Sequence, residues 1–186
     1  MLPLFVGLPA APMSKPYSFD ERTFLKVIRN HGELCGGLRN LDLATASSDL
    51  TNRAHHVGLC WLRLALEHLD DAKAALRSHR DRSSYSRSYY AAYNASKAIR
   101  YVVHGSVSLK GDDHKQAPDL PDDFEDVAKW ASVITNLYEH RLKADYDNWK
   151  VTLAEMSLTP AESVAFAEQF VGHAVTYLEE KFGIRP

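Results

Sequence analysis

The chain has 186 residues, 45% of them hydrophobic and 25% charged, which is enough for one domain with a buried core and excludes wholesale disorder. A formal charge of −2 excludes a uniformly basic nucleic-acid binder, but the charge is unevenly spread: net 0 over residues 1–76, +5 over 77–115 and −7 over 116–186. The basic segment either attracts phosphates or meets acidic side chains of its own chain or of a second subunit.

The opening MLPLFVGLPAAP is apolar but lacks a basic leader, so residues 1–17 read as a loose extension, with Met13 an alternative start. Ser18 and Glu21 have capping-box spacing and predict a short helix over 19–31, which Gly32 and the Gly36–Gly37 pair are expected to break up. Leu38 to Ser48 reads as linker. Residues 1–48 are thus an N-terminal extension, and 49–183 the helical bundle.

From Leu50 the apolar residues Ala54, Val57, Trp61, Leu64, Leu69, Ala72 and Leu76 recur at helical spacing and predict a helix over 50–78. RSHRDRSS is a polar turn. A second long helix over 83–104 carries the stripe Tyr85, Tyr89, Ala92, Ser96, Ile99, Val103, flanked by small residues that let a neighbour approach closely. Its other face reads Arg87, Tyr90, Asn94, Lys97, Tyr101, His104. The loop GSVSLKGDDHKQAPDLPDD has no period, and loops of this length inside a domain are uncommon and often functional. A helix over 122–145 follows, with Phe124, Val127, Ala131, Ile134 and Tyr138 in line and Trp130 and Leu137 widening the apolar stripe. The last helix is announced by Thr159, Pro160 and Glu162 and ended by Gly183. No alternating pattern competes, so the expected fold is all-α, an up-and-down bundle of four to five helices.

Cys35 and Cys60 are in no metal-ligand spacing and read as reduced thiols of a cytoplasmic protein, Cys60 packed within its helix. No run reaches the roughly 18 apolar residues of a membrane span. The sequence carries no phosphate-binding glycine loop, zinc helix or nucleophile elbow, and neither a metal nor a cofactor is expected.

The polar feature that stands out is Arg141 with Asp145. Both continue the apolar stripe of the third long helix, where a core face should have ended. As an exposed i,i+4 pair they contribute only about 0.2–0.5 kcal/mol. Partly desolvated, they require partners. Asn94, Lys97 and His104 on the preceding helix are candidates to supply them, and Tyr146 with Trp149 offers an aromatic edge on which a base could stack.

SRSYYAAYNASKAIRYVVHG, residues 86–105, and LYEHRLKADYD, residues 137–147, together resemble two helix motifs of the HEPN family, and DHKQAPDLPDDF, residues 113–124, is similar to a linker between them. The resemblance covers roughly residues 50–182. It implies a helical bundle that forms a homodimer, with roles in toxin–antitoxin or defence systems. Members are metal-independent endoribonucleases, or non-catalytic modules that partner a minimal nucleotidyltransferase acting as antitoxin. Arg141 stands where the nuclease members carry their arginine. Their histidine, four to six residues later, is absent: residues 146–148 are Tyr146, Asp147 and Asn148. Cleaving RNA without a metal calls for a group that exchanges protons near neutrality, the natural task of histidine. The expected site is therefore Arg141, Asp145 and Tyr146 as reacting groups, with Lys97, Asn94, His104 and His114 facing an RNA or nucleotide ligand.

Overall fold

The computed structural model describes residues 29–108, 111–147 and 156–186. Five α-helices occur among them: α1 (His31–Asn40), α2 (Ala44–Arg77), α3 (Asp81–His104), α4 (Val127–Tyr146) and α5 (Pro160–Phe182). A short 3-10 helix, Gly111–Gln116, interrupts the loop between α3 and α4. The described residues contain no strand beyond an isolated bridge between Asn30 and Ser106. The all-α expectation holds.

Helix α3 is the central element, with α2, α4 and α5 packed around it, while α4 and α5 keep their backbones apart and meet through side chains such as Trp130 and Phe170. Its small residues explain this arrangement. Ala91, Ala92, Ala95 and Ala98 are all fully buried, so neighbouring backbones come close on more than one side. Against it, α2 contributes Gly58, where an added Cβ would lie 2.5 Å from Cγ2 of Val102. Trp130, Ile134 and Leu137 of α4, together with Phe170 and Leu178 of α5, complete the core.

The N-terminal part departs from expectation. The predicted helix over 19–31 lies almost wholly outside the described residues. Beyond it, the glycine-rich stretch is helical, and the expected linker from Leu38 to Ser48 shrinks to a three-residue turn between α1 and α2. Tertiary docking overrides the poor helix propensity of the glycines. Asn30 caps α1 by accepting from the Glu33 amide, and His31 donates from Nε2 to the Tyr101 carbonyl at 2.9 Å. The Gly32 amide donates to the Gly105 carbonyl at 3.0 Å. Gly105 sits at φ +69°, and a Cβ there would meet the Gly32 backbone at 2.5 Å, so this crossing requires glycine. Burial lowers the pKa of His31, favouring its neutral form at the start of α1.

Helix α4 also begins later than expected. Asp126 takes a left-handed conformation, φ 54°, and Phe124 closes a turn on Pro121, so both lie before the helix. Its buried stripe is Trp130, Ile134, Leu137, His140 and Ala144, so the residues expected only to widen the stripe lie at its centre. Ala131, Tyr138, Arg141 and Asp145 form its half-buried margin. At α5 the expected capping box is present in both directions, and Gly183 ends the helix at φ 67°. Cys60 is exposed, contrary to expectation, because α2 turns that face outward; Cys35 is buried.

The α2–α3 crossing gives a direct test. Gly58→Ala drives a methyl into the stiff Val102 side chain and should cost about 1–3 kcal/mol. Val102→Ala removes that clash, so the double variant should be more stable than the two single effects added together, as measured by denaturant midpoints.

Candidate nucleic-acid interface

The Arg141–Asp145 pair of α4 is not a freely hydrated one. The Arg141 side chain is 12% exposed and that of Asp145 28%, with Nε and Oδ2 at 2.9 Å. The contact is a close charge pairing and not an aligned hydrogen bond, since the Nε hydrogen finds no acceptor. Helix α3 supplies what an isolated pair lacks. Nη2 of Arg141 donates to the Tyr90 hydroxyl at 2.7 Å, and the Ser86 hydroxyl donates to Oδ2 of Asp145 at 3.3 Å. The guanidinium lies 5.3 Å from the centre of the Tyr90 ring and 5.0 Å from that of Tyr146. Burial works against its charge, yet the Tyr90 hydroxyl, Asp145 and Tyr146 together hold Arg141 above the ordinary guanidinium value. Arg82 reaches across from α3 and donates to the carbonyls of Ala144, at 2.7 Å, and Asp147, at 3.1 Å. It thereby satisfies the C-terminal carbonyls of α4 and fixes the turn that carries the pair.

A second cluster adjoins this seam. Asp113, on the 3-10 helix, is 2% exposed and receives Nη1 of Arg100 at 3.1 Å, Nζ of Lys97 at 3.1 Å and the Tyr93 hydroxyl at 2.6 Å. Burial would raise its pKa, but the Tyr93 hydroxyl, Arg100 and Lys97 bring it below the usual carboxylate range. The Ser96 hydroxyl donates to the Ala117 carbonyl at 2.6 Å, tying the far side of the same loop to α3. So anchored, the loop places His114 among tyrosines. Its Nδ1 is 2.8 Å from the Tyr89 hydroxyl, and its ring lies 4.4 Å from that of Tyr93 and 6.0 Å from that of Tyr138. Burial lowers the His114 pKa, and the charges of Arg141 and Lys97 add to this against the opposing pull of Asp113.

The structure thus brings Arg141, Asp145, Tyr146 and His114 to one region, with Lys97 bonded into the anchor beneath it. Lys97 lies 5.0 Å from the Trp61 ring as well as beside Asp113, which makes it part of the packing. Asn94 is buried and donates to the Tyr90 carbonyl of its own helix at 2.8 Å. His104 is exposed at the far end of α3, about 20 Å along the axis from Tyr90. Neither joins the seam. His140 points into the core, 2.9 Å from the Ser157 hydroxyl. Sequence reasoning missed Tyr90, Tyr138 and the pair Asp113–Arg100. The first two lay at helical spacing beside Lys97 and Arg141, whereas the partner of Arg100 sits in a loop without a period.

Two cavities lie away from the seam. One of about 320 Å³ opens at the N-terminus of α5 beside Asp81, Tyr85 and Glu162. The other, about 170 Å³, is bordered by Asp123, Glu125 and Glu180 with His173 and Lys181. Their carboxylates would repel a phosphate. Among the described residues no group of three or more His, Cys, Asp or Glu side chains could hold a metal ion, and no helix is long and apolar enough to cross a membrane.

A helical bundle with a central helix rich in alanine and tyrosine, and an arginine held in the seam it forms with the next long helix, defines the class. The family model described as the HEPN domain matches residues 59–174, from α2 to α5. The chain belongs to the HEPN family. No curated protein and no solved structure matches it.

The loop anchor can be tested by itself. Asp113→Asn leaves Arg100 buried without its counter-charge and should cost about 3–5 kcal/mol in chemical denaturation. Because the folded carboxyl titrates below its unfolded value, its contribution is fully present above the unfolded value and is lost as pH falls through the folded one. The variant should lack that acidic limb.

Proposed function

We propose that this HEPN protein binds RNA through the α3–α4 seam as a cytoplasmic homodimer of the toxin–antitoxin or defence type, and cleaves it without a metal. The observation that carries this reading is the Arg141 guanidinium, pre-oriented against the Tyr90 and Tyr146 rings, with Tyr146 itself 58% exposed. A planar cation suits a phosphodiester, and an exposed aromatic at its side suits an unstacked base. Single-stranded RNA offers both groups together. Asp145 orients the guanidinium and His114 lies within the same aromatic cluster. For cleavage without a metal, the ribose 2′-hydroxyl is the available nucleophile and Arg141 counters the charge that builds on the phosphorus oxygens.

A second reading draws support from the low exposure of Arg141 and its engagement with Tyr90 and Asp145. In it the pair is structural, and the bundle is a non-catalytic module docking on a minimal nucleotidyltransferase or another protein.

One experiment separates the two. Purified protein and its Arg141→Ala variant are incubated with an end-labelled unstructured RNA in EDTA, across a range of salt. RNA binding predicts a loss of affinity of about tenfold or more on substitution. It also predicts that the slope of log K against log salt becomes shallower by about 0.7, the share of one phosphate contact on a single strand. Unchanged RNA affinity together with a lowered melting temperature or a weakened dimer would favour the structural module.

A further inference from the structure

We infer that His114, carried by the loop between α3 and α4, is the catalytic proton acceptor of the seam, a task for which α4 itself offers no histidine facing Arg141. This rests on the RNA-cleaving reading above. Three observations support it.

The first is placement. The His114 ring lies 6.3 Å from that of Tyr90, and Cζ of Arg141 lies 5.3 Å from the same ring, so the imidazole and the guanidinium share a neighbour and are close enough for the charge of Arg141 to act on the imidazole. The second is the hydrogen bond at Nδ1. The Tyr89 hydroxyl, 2.8 Å away, can accept from Nδ1–H, as a guanidinium cannot, and in that tautomer Nε2 keeps its lone pair. Burial holds that phenol well above the ordinary tyrosine value, and it stays protonated. Among the described residues no hydrogen bond engages Nε2, which is left to exchange a proton. The third is the elimination of His68, the other histidine near Tyr90, at 5.5 Å between rings. Nη1 of Arg87 lies 3.1 Å from its Nδ1, and a guanidinium only donates. His68 Nδ1 is therefore occupied as an acceptor and its proton sits on Nε2, which cannot take another.

The step balances with water as the only co-reactant. The ribose O2′ attacks the adjacent phosphorus while its proton passes to Nε2 of His114. The P–O5′ bond breaks, and the departing oxygen takes a proton from water. The hydroxide so formed removes the proton from the imidazolium, which restores the site. The products are a 2′,3′-cyclic phosphate and a 5′-hydroxyl.

The charged and titratable groups facing the imidazole are Tyr89, Tyr90, Tyr93 and Lys97 of α3, Tyr138 and Arg141 of α4, and Asp113 beside it. Burial and the two cations outweigh the carboxylate, so the imidazole is neutral, and competent as a base, from below the ordinary histidine value upward.

The test uses the full chain with an end-labelled RNA in EDTA, comparing wild type, His114→Gln and, as a control remote from the seam, His104→Gln. Binding affinity should be the same in all three. Cleavage should fall about a hundredfold or more in His114→Gln alone. The wild-type rate should rise with pH through a value below 6.5 and then level off, a limb absent from the variant. Cleavage by His114→Gln at the wild-type rate would overturn the assignment, as would a wild-type profile without that limb, which needs no variant to fold. Wild-type protein that binds RNA but never cleaves it would overturn the assignment and leave RNA binding standing. Protein that does not bind RNA would overturn both.

Discussion

Most of the molecule follows from the burial of α3 on several sides at once. A helix can be enclosed in this way only if neighbouring backbones approach it closely, and Ala91, Ala92, Ala95, Ala98 and the facing Gly58 permit that. The enclosure has a cost. Ser96 and Arg100 lie in the interior, 0% and 4% exposed, and a buried guanidinium without a counter-charge is strongly unfavourable. The 3-10 helix answers with Asp113. The loop is thus anchored where it is because of a charge that α3 has buried, and the position of His114 is a consequence of that charge.

The same logic accounts for the uneven charge along the sequence. Much of the basic stretch is spent within the chain: Arg82 on the carbonyl end of α4, Lys97 and Arg100 on Asp113, and Arg87 against Asp71 at 3.8 Å. A basic segment read in isolation suggests a phosphate-binding surface. Once folded, only part of it faces outward, and the arginine that lies against Tyr90 and Tyr146 at the α3–α4 seam, Arg141, comes from the acidic third of the chain.

What could be read from the sequence follows from how local each determinant is. The capping box of Thr159 and Glu162 and the left-handed Gly183 are short-range signals, and both ends of α5 were predicted from them. The centre of the α4 stripe was misplaced because Tyr138 and Arg141 are amphipathic and continue an apolar row at its margin, whereas His140, a polar residue, occupies the true core face. Helix α1 escaped notice because it depends on the crossing of Gly32 with Gly105 and on His31 reaching the Tyr101 carbonyl, contacts 70 or more residues apart in sequence. Arg141 and Asp145 were identifiable as misfits in a pattern. Their chief partners, Tyr90 and Ser86, were not, since nothing on α4 indicates which turn of α3 it faces.

On the assignment proposed above, a proton-exchanging group supplied from a loop has a physical consequence that a helix-borne histidine would not share. On a helix, the distance between arginine and histidine is set by backbone hydrogen bonds within one element. Here it is set by two independent attachments: α4 to α3 through Tyr90 and Arg82, and the loop to α3 through Asp113 and Ser96. A change that loosens the loop anchor acts on the imidazole and leaves the contacts of the guanidinium to Tyr90 and Asp145 in place, so the proposed binding and chemistry would be separable within one site. The arrangement also makes the tyrosines of α3 more than packing. Tyr89 holds the imidazole, Tyr90 holds the guanidinium and Tyr93 holds the anchor, three successive contacts made by one helix over little more than a turn.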